Sequence, residues 1–117
     1  MIKKYLKKSF LIFGGETFLR KRNRTPRILF WHGVDLNPDP IVEAESIKKE
    51  DFLKQINYLE KYFEIISSDE FYIRYREDSF NGKEVVLTFD DGYRNNLKTL
   101  APILTSRQIP FTVFITT

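Results

Sequence analysis

The chain contains no cysteine and only one histidine, His32, among its 117 residues. The absence of cysteine excludes disulfide bonds and thiolate metal sites within this chain, and it leaves the redox compartment open. A metal site built from these residues is therefore expected to depend mainly on oxygen ligands. The length fits one domain and not two.

Long hydrophobic runs are also missing. The unbroken apolar run Phe10–Phe13 is too short for the hydrophobic region of a signal peptide or for a membrane span, and no small-residue cleavage site follows it. We therefore expect a cytoplasmic location, or one at the inner surface of the membrane.

Positive charge is concentrated at the amino terminus. Residues 1–27 carry nine Lys or Arg and one acid, Glu16, whereas the other 90 residues carry ten basic and fifteen acidic side chains. The sequence divides into a basic N-terminal arm or helix, residues 1–25, and an α/β domain, residues 26–117. The arm either packs on the body or touches anionic lipid through residues 1–24. The acidic body gives no support for nucleic-acid binding.

Short apolar runs alternate with amphipathic stretches along the body. This alternation predicts βα units and a parallel sheet or barrel, with a polar loop after the first strand and a kink at Pro102 in the last helix. The predicted strands are 28–31, 65–66, 85–89 and 111–115, the predicted helices are 49–63, 68–76 and 97–104, and Ser67 with Glu70 has capping-box spacing.

Two adjacent carboxylates, Asp90 and Asp91, follow the most apolar of these strands. Because α/β folds place their chemistry at the carboxyl ends of buried strands, the pair is a candidate site in which one acid binds a cation and the other moves a proton. The other interpretation is structural, since Asp-Asp-Gly is also typical of turns and helix caps. Gly92 permits a tight turn there.

His32 follows the first predicted strand. If the strands are parallel, it lies on the same rim as Asp90 and Asp91. It either contacts substrate or is held by a backbone carbonyl.

The segment Thr88–Gly92 resembles the first motif of the polysaccharide deacetylases, the NodB-homology or carbohydrate esterase family 4 enzymes. The resemblance extends to Trp31–Val34, to the helix Phe52–Phe63 with the strand after it, and to residues 101–114. It implies the N-terminal part of a distorted (β/α) barrel in a hydrolase that removes N- or O-linked acetyl groups from a carbohydrate. It also implies a divalent metal, usually zinc.

Carried over by position, Asp90 is the general base and Asp91 the metal ligand, while His32, Gly92 and Tyr93 lie at the rim of the site. The family takes two further histidine ligands from a later His-[Ser/Thr]-x-x-His motif, and its general acid from a histidine later still. His32 precedes the aspartates, so these ligands are missing from this chain. We therefore expect an incomplete domain that binds zinc weakly and catalyses little alone.

Two rival interpretations stay open. A truncated, non-catalytic relative would act as a carbohydrate-binding or interaction domain. An aspartate-based phosphotransferase also places carboxylates after a strand, but such enzymes typically space the acids as Asp-x-Asp, and here the acids are adjacent.

Overall fold

A computed structural model describes residues 24–41 and 45–117. The predicted arm therefore lies outside the described residues, apart from Arg24 and Thr25. Within this part of the chain, no helix is long and apolar enough to cross a membrane. The strands are β1 (Arg27–Trp31), β2 (Gly33–Asp35), β3 (Ser46–Lys48), β4 (Glu64–Ile65), β5 (Glu84–Phe89) and β6 (Thr112–Val113), and the helices are α1 (Lys49–Tyr62), α2 (Ser68–Glu77) and α3 (Ala101–Ser106), with a π-helical turn at Asn96–Leu100.

Strand β5 is the centre of the main sheet, and all six of its residues are buried. It pairs with β1 along five residues, from Arg27↔Val85 to Trp31↔Phe89. The other side of β5 pairs with β4 near its amino end and with β6 near its carboxyl end. Every one of these pairings is parallel, as the alternation of strands and helices predicted.

A second, smaller sheet was not predicted. Strands β2 and β3 pair in parallel, with Gly33 opposite Ser46. Each strand has three residues, which is too few to show a strand period in the sequence. The described strands form two separate sheets, so the parallel α/β class is confirmed and the barrel is not.

The core lies between β5 and the helices on one side of the sheet. Helix α1 buries Phe52, Ile56 and Leu59, the face that the helical spacing predicted. The Trp31 ring stacks on Phe89 at 5.3 Å between centroids, and its indole N–H donates to Gln55 Oε1 at 2.9 Å. Burying each large apolar side chain contributes about 1.5–3 kcal/mol, so this packing fixes the carboxyl ends of β1 and β5.

A polar network fixes the opposite end of β5. Glu84 is fully buried, and its carboxylate accepts hydrogen bonds from the backbone N–H groups of Asn81 at 2.8 Å and Gly82 at 2.9 Å. Arg74 on α2 donates to Glu84 at 3.1 Å and to Glu64 at 2.6 Å. The predicted cap of α2 is confirmed, since Ser67 Oγ accepts from the Glu70 N–H at 3.1 Å.

The last two elements differ from their predictions. Instead of a kinked α-helix, the π-helical turn runs into α3, with Pro102 in the first turn of α3. The predicted buried strand Phe111–Ile115 was wrong in length and burial, because only Thr112–Val113 pair with β5. Phe114 and Ile115 are 57% and 73% exposed.

Candidate active site

The carboxyl ends of β1 and β5 lie side by side. Trp31 is opposite Phe89 in the sheet, and the Asp90 N–H donates to the Trp31 carbonyl at 2.8 Å. His32 follows directly after Trp31, and Asp91 follows directly after Asp90. His32 and the two aspartates therefore lie at the same end of the main sheet.

Asp91 turns toward the histidine. Its Oδ2 lies 3.9 Å from His32 Nε2. The backbone is left-handed at Asp91, with φ of 70°, and at Gly92, with φ of 67°. Asp tolerates this region better than most residues, and Gly adopts it without cost. A Cβ at position 92 would also collide with Ile115 Cγ2, so glycine fits this turn with the least strain.

Glu45 is a third polar side chain at this place, and the sequence did not reveal it. Its Oε2 lies 3.8 Å from His32 Nε2. One ligand atom from each of His32, Glu45 and Asp91 lies within 4.8 Å of the other two. A single acid in a polar stretch carries no motif, so only the fold could identify it.

The donor set of this cluster fits a divalent cation. One imidazole nitrogen and two carboxylates suit zinc and other first-row divalent ions. Ligand atoms around a tetrahedral zinc lie about 3.4 Å apart, and the two His32 separations are 3.8 and 3.9 Å. Small side-chain movements close that difference, because Glu45 and Asp91 are 65% and 41% exposed. The sequence had offered two of these three side chains, Asp91 and His32, for a metal site.

The Asp90 carboxylate stands apart from this cluster. Asp90 is half-buried, and within the described ranges its side chain makes no hydrogen bond or ion pair. The structural interpretation holds in part: Asp91 and Gly92 form a left-handed turn, but the helical turn after the motif shows no side-chain cap bond at its capping residue, Asn95. The two acids thus have different surroundings, as a division of roles requires.

Tyr93 lies beside a hollow of about 420 Å³ next to the turn, together with Asp35, Arg94, Asn95, Lys98 and Thr99. A larger hollow, of about 720 Å³, lies between the start of β1 and α2 and contains none of the predicted site residues. Although this hollow is the larger of the two, its position gives no reason to connect it with the candidate active site.

The π-helical turn holds two polar side chains that sequence reasoning also missed. Asn96 is buried, and neither atom of its amide has a hydrogen-bond partner among the described residues, nor does Asn95 Oδ1. Single π-helical turns are frequent at functional sites, and this one begins four residues after Gly92.

Comparison with known proteins agrees with the motif. Residues 77–117 match the family model for polysaccharide deacetylase, which confirms the resemblance over the segment that contains both aspartates. A de-N-acetylase from Aggregatibacter actinomycetemcomitans has a similar fold, with a TM-score of 0.63 and 22% sequence identity over 74% of this chain and 35% of that chain. This chain thus spans about a third of that structure. No curated protein sequence matches this chain.

Proposed function

We propose that this chain forms part of a metal-dependent hydrolase that removes acetyl groups from a carbohydrate. One observation carries the proposal: Asp90 and Asp91 follow a buried strand inside the matched segment, residues 77–117. Their surroundings support separate roles, since Asp91 is 3.9 Å from His32 and Asp90 has no polar side-chain partner in the described ranges.

In the proposed mechanism, Asp91 holds a divalent cation, for which zinc is the leading candidate, with His32 beside it. When bound, such an ion polarises the acetyl carbonyl and makes water more acidic. Asp90 takes the proton from the attacking water as the new carbon–oxygen bond forms. Breaking the acetyl carbon–nitrogen or carbon–oxygen bond then releases acetate and leaves an amine or hydroxyl on the sugar.

Two groups shape the rest of this site. The left-handed turn at Gly92 lets the backbone pass close to Ile115 and so fixes where Asp91 points. Tyr93 lines the adjoining hollow and is proposed to contact the carbohydrate, for which an exposed aromatic ring is a suitable surface.

The leaving group of this reaction needs a proton, and a histidine is the expected donor. The sequence has one histidine, and it lies in the cluster with Asp91. The 117-residue chain alone is therefore proposed to release little acetate, whether or not it binds the metal.

A second candidate function is a non-catalytic role in carbohydrate binding or protein interaction. The two later histidine ligands and the general acid of the family have no counterpart in these 117 residues, in which His32 is the only histidine.

The test begins with the gene beyond codon 117. A His-x-x-x-His pair within a few dozen downstream codons supports the enzyme, and a stop codon supports the non-catalytic role. The polypeptide of the complete reading frame is then incubated with an acetylated chito-oligosaccharide, and released acetate is measured.

We expect Asp90→Asn to reduce acetate release by about 10²–10⁴-fold, the usual contribution of a general base. Asp69→Asn, the same change at an exposed site in the first turn of α2, should leave the rate unchanged. Full activity of Asp90→Asn contradicts the proposed mechanism. Acetate release by the 117-residue chain at the rate of the longer polypeptide contradicts the proposed inactivity.

A further inference from the structure

We propose that the N-terminal segment, residues 1–23, packs into the hollow of about 720 Å³ between the start of β1 and α2. This segment precedes the described part of the chain. Of the two roles that the sequence leaves to the basic arm, this is packing on the body rather than contact with anionic lipid. The proposal does not depend on the proposed function.

Large apolar side chains line this hollow and remain accessible. Ile28 of β1 is 56% exposed, and Tyr75 of α2 is 68% exposed. Phe71 and Phe80 line it as well; both are half-buried, and their ring centroids are 5.1 Å apart. Contiguous exposed apolar surface of this kind marks an interaction site.

The chain enters its described part at the edge of the hollow. Arg24, the first described residue, lines the hollow together with Pro26. Residues 1–23 are therefore tethered at this edge, and a short tether gives a local concentration in roughly the millimolar range. A second copy of the chain or a separate protein lacks this advantage.

The segment carries an apolar pattern that suits such a groove. Four large apolar residues recur at intervals of four, four and three, the spacing of one helical face: Ile2, Leu6, Phe10 and Phe13. Amphipathic helices bind apolar grooves through anchors at such intervals. The ten residues between Phe13 and Arg24 can span about 33–36 Å, so this face can turn back into the hollow.

Charge at the edge of the hollow favours the same occupant. Residues 1–23 contain seven Lys or Arg and one acid, and residues 20–22 are all basic. Asp78 lines the hollow, and Glu77 directly precedes it. Among the described residues, neither acid forms an ion pair. The basic residues next to Arg24 therefore meet acids of opposite charge at the place where the segment begins its path.

The position of the hollow leaves the candidate active site open. The hollow lies at the amino end of β1, whereas His32 follows the carboxyl end of this five-residue strand, roughly 16 Å further along. A segment packed in the hollow therefore supports one end of the sheet without covering the aspartates at the other end.

The absence of cysteine makes the test direct. Lys8→Cys places a single thiol outside the apolar face of the segment, and a nitroxide label is attached to it in the ¹⁵N-labelled 117-residue chain. Paramagnetic broadening of the backbone amide signals then shows which residues lie near position 8. The same sample with the label reduced supplies the reference intensities.

We expect the amide signals of Ile28, Tyr75 and Phe80, at the hollow, to lose most of their intensity. The signals of Lys98 and Thr99, beside the other hollow, should keep theirs. No broadening at the first group, or equal broadening in both groups, would overturn the proposal.

A second substitution separates specific packing from general proximity. Adding Phe10→Ser should restore most of the lost intensity, because burial of one phenylalanine changes the packing equilibrium about 10–100-fold. Leu11→Ser removes a similar apolar side chain outside the apolar face and should leave the broadening unchanged. An equal effect of the two substitutions would contradict packing through this face.

Two further samples identify other occupants. Broadening of the hollow signals in a mixture of unlabelled ¹⁵N chain and spin-labelled ¹⁴N chain would assign the hollow to a second copy and overturn the proposal. The intramolecular broadening should persist with vesicles of phosphatidylcholine and phosphatidylserine, and its loss there would assign the segment to anionic lipid instead. None of these readouts depends on acetyl hydrolysis.

Discussion

Replacing Glu84 by glutamine tests whether the polar network at the amino end of β5 holds the strand that carries the two aspartates. Glu84 is fully buried, and its two carboxylate oxygens accept hydrogen bonds from Asn81, Gly82 and Arg74. Glutamine keeps the shape and one acceptor, but its amide N–H₂ group faces a donor. The charge that compensates Arg74 at this position is also lost.

The expected cost follows from this geometry. Removing one member of a buried ion pair typically costs 3–5 kcal/mol, and glutamine retains part of the bonding, so we expect about 3 kcal/mol. For a chain of this size that corresponds to a fall of roughly 10–20 °C in melting temperature. The assay is urea unfolding at pH 7 followed by circular dichroism, with the thermal midpoint as a second measure.

The control is Glu77→Gln, at an exposed position in the last turn of α2. It should change the free energy of unfolding by less than about 0.5 kcal/mol. If Glu84→Gln is also within 0.5 kcal/mol of the parent chain, the network does not stabilise β5 and the reasoning is refuted.

Two further predictions concern the same end of the strand and the turn at its other end. Burial raises the pKa of Glu84, but its hydrogen bonds outweigh burial and hold the pKa below the ordinary value, and hydrogen bonding by Arg74 lowers the pKa of Glu64. Because the folded-state values are depressed, the stabilisation is complete above about pH 4.3, the unfolded value, and is lost as the pH falls through the folded-state pKa. The urea midpoint of the parent chain should therefore decline below that pH. The difference in free energy of unfolding between the parent chain and Glu84→Gln should narrow over the same range. A difference that stays constant with pH contradicts this prediction. Gly92→Ala should lower the free energy of unfolding by about 1–3 kcal/mol, since alanine is strained at this φ and its Cβ meets Ile115. Adding Ile115→Ala to Gly92→Ala should recover only the part of the lost stability that is due to the collision. If Gly92→Ala alone is as stable as the parent chain, the argument from backbone strain is wrong.

Elements with strong local signals could be predicted from the sequence. The run Val85–Phe89, in which every residue is apolar or β-branched, indicated a buried strand, and the helical spacing of Phe52, Ile56 and Leu59 indicated the buried face of α1. Both follow from local chemistry, because apolar period and length determine which element buries its side chains. The cap at Ser67 is local in the same sense.

Other features depend on pairings that no local pattern encodes. Glu45 reaches His32 because β2 pairs with β3, and these three-residue strands have no period to detect. The exposure of Ile115 likewise depends on how far β6 pairs with β5, which ends after two residues. The candidate site was therefore predicted from its motif, whereas the proximity of Glu45 to His32 needed the fold.

The division of roles between the two aspartates is the central claim, and calorimetric titration of Zn²⁺ into the 117-residue chain tests it most directly. Asp91→Asn removes a carboxylate from the cluster with His32 and Glu45, so its dissociation constant should be at least about tenfold weaker than that of the parent chain. Asp90→Asn changes the neighbouring acid, which lies outside the cluster, and should bind Zn²⁺ within about threefold of the parent. Equal loss of binding in both variants, or no loss in Asp91→Asn, would contradict the claim.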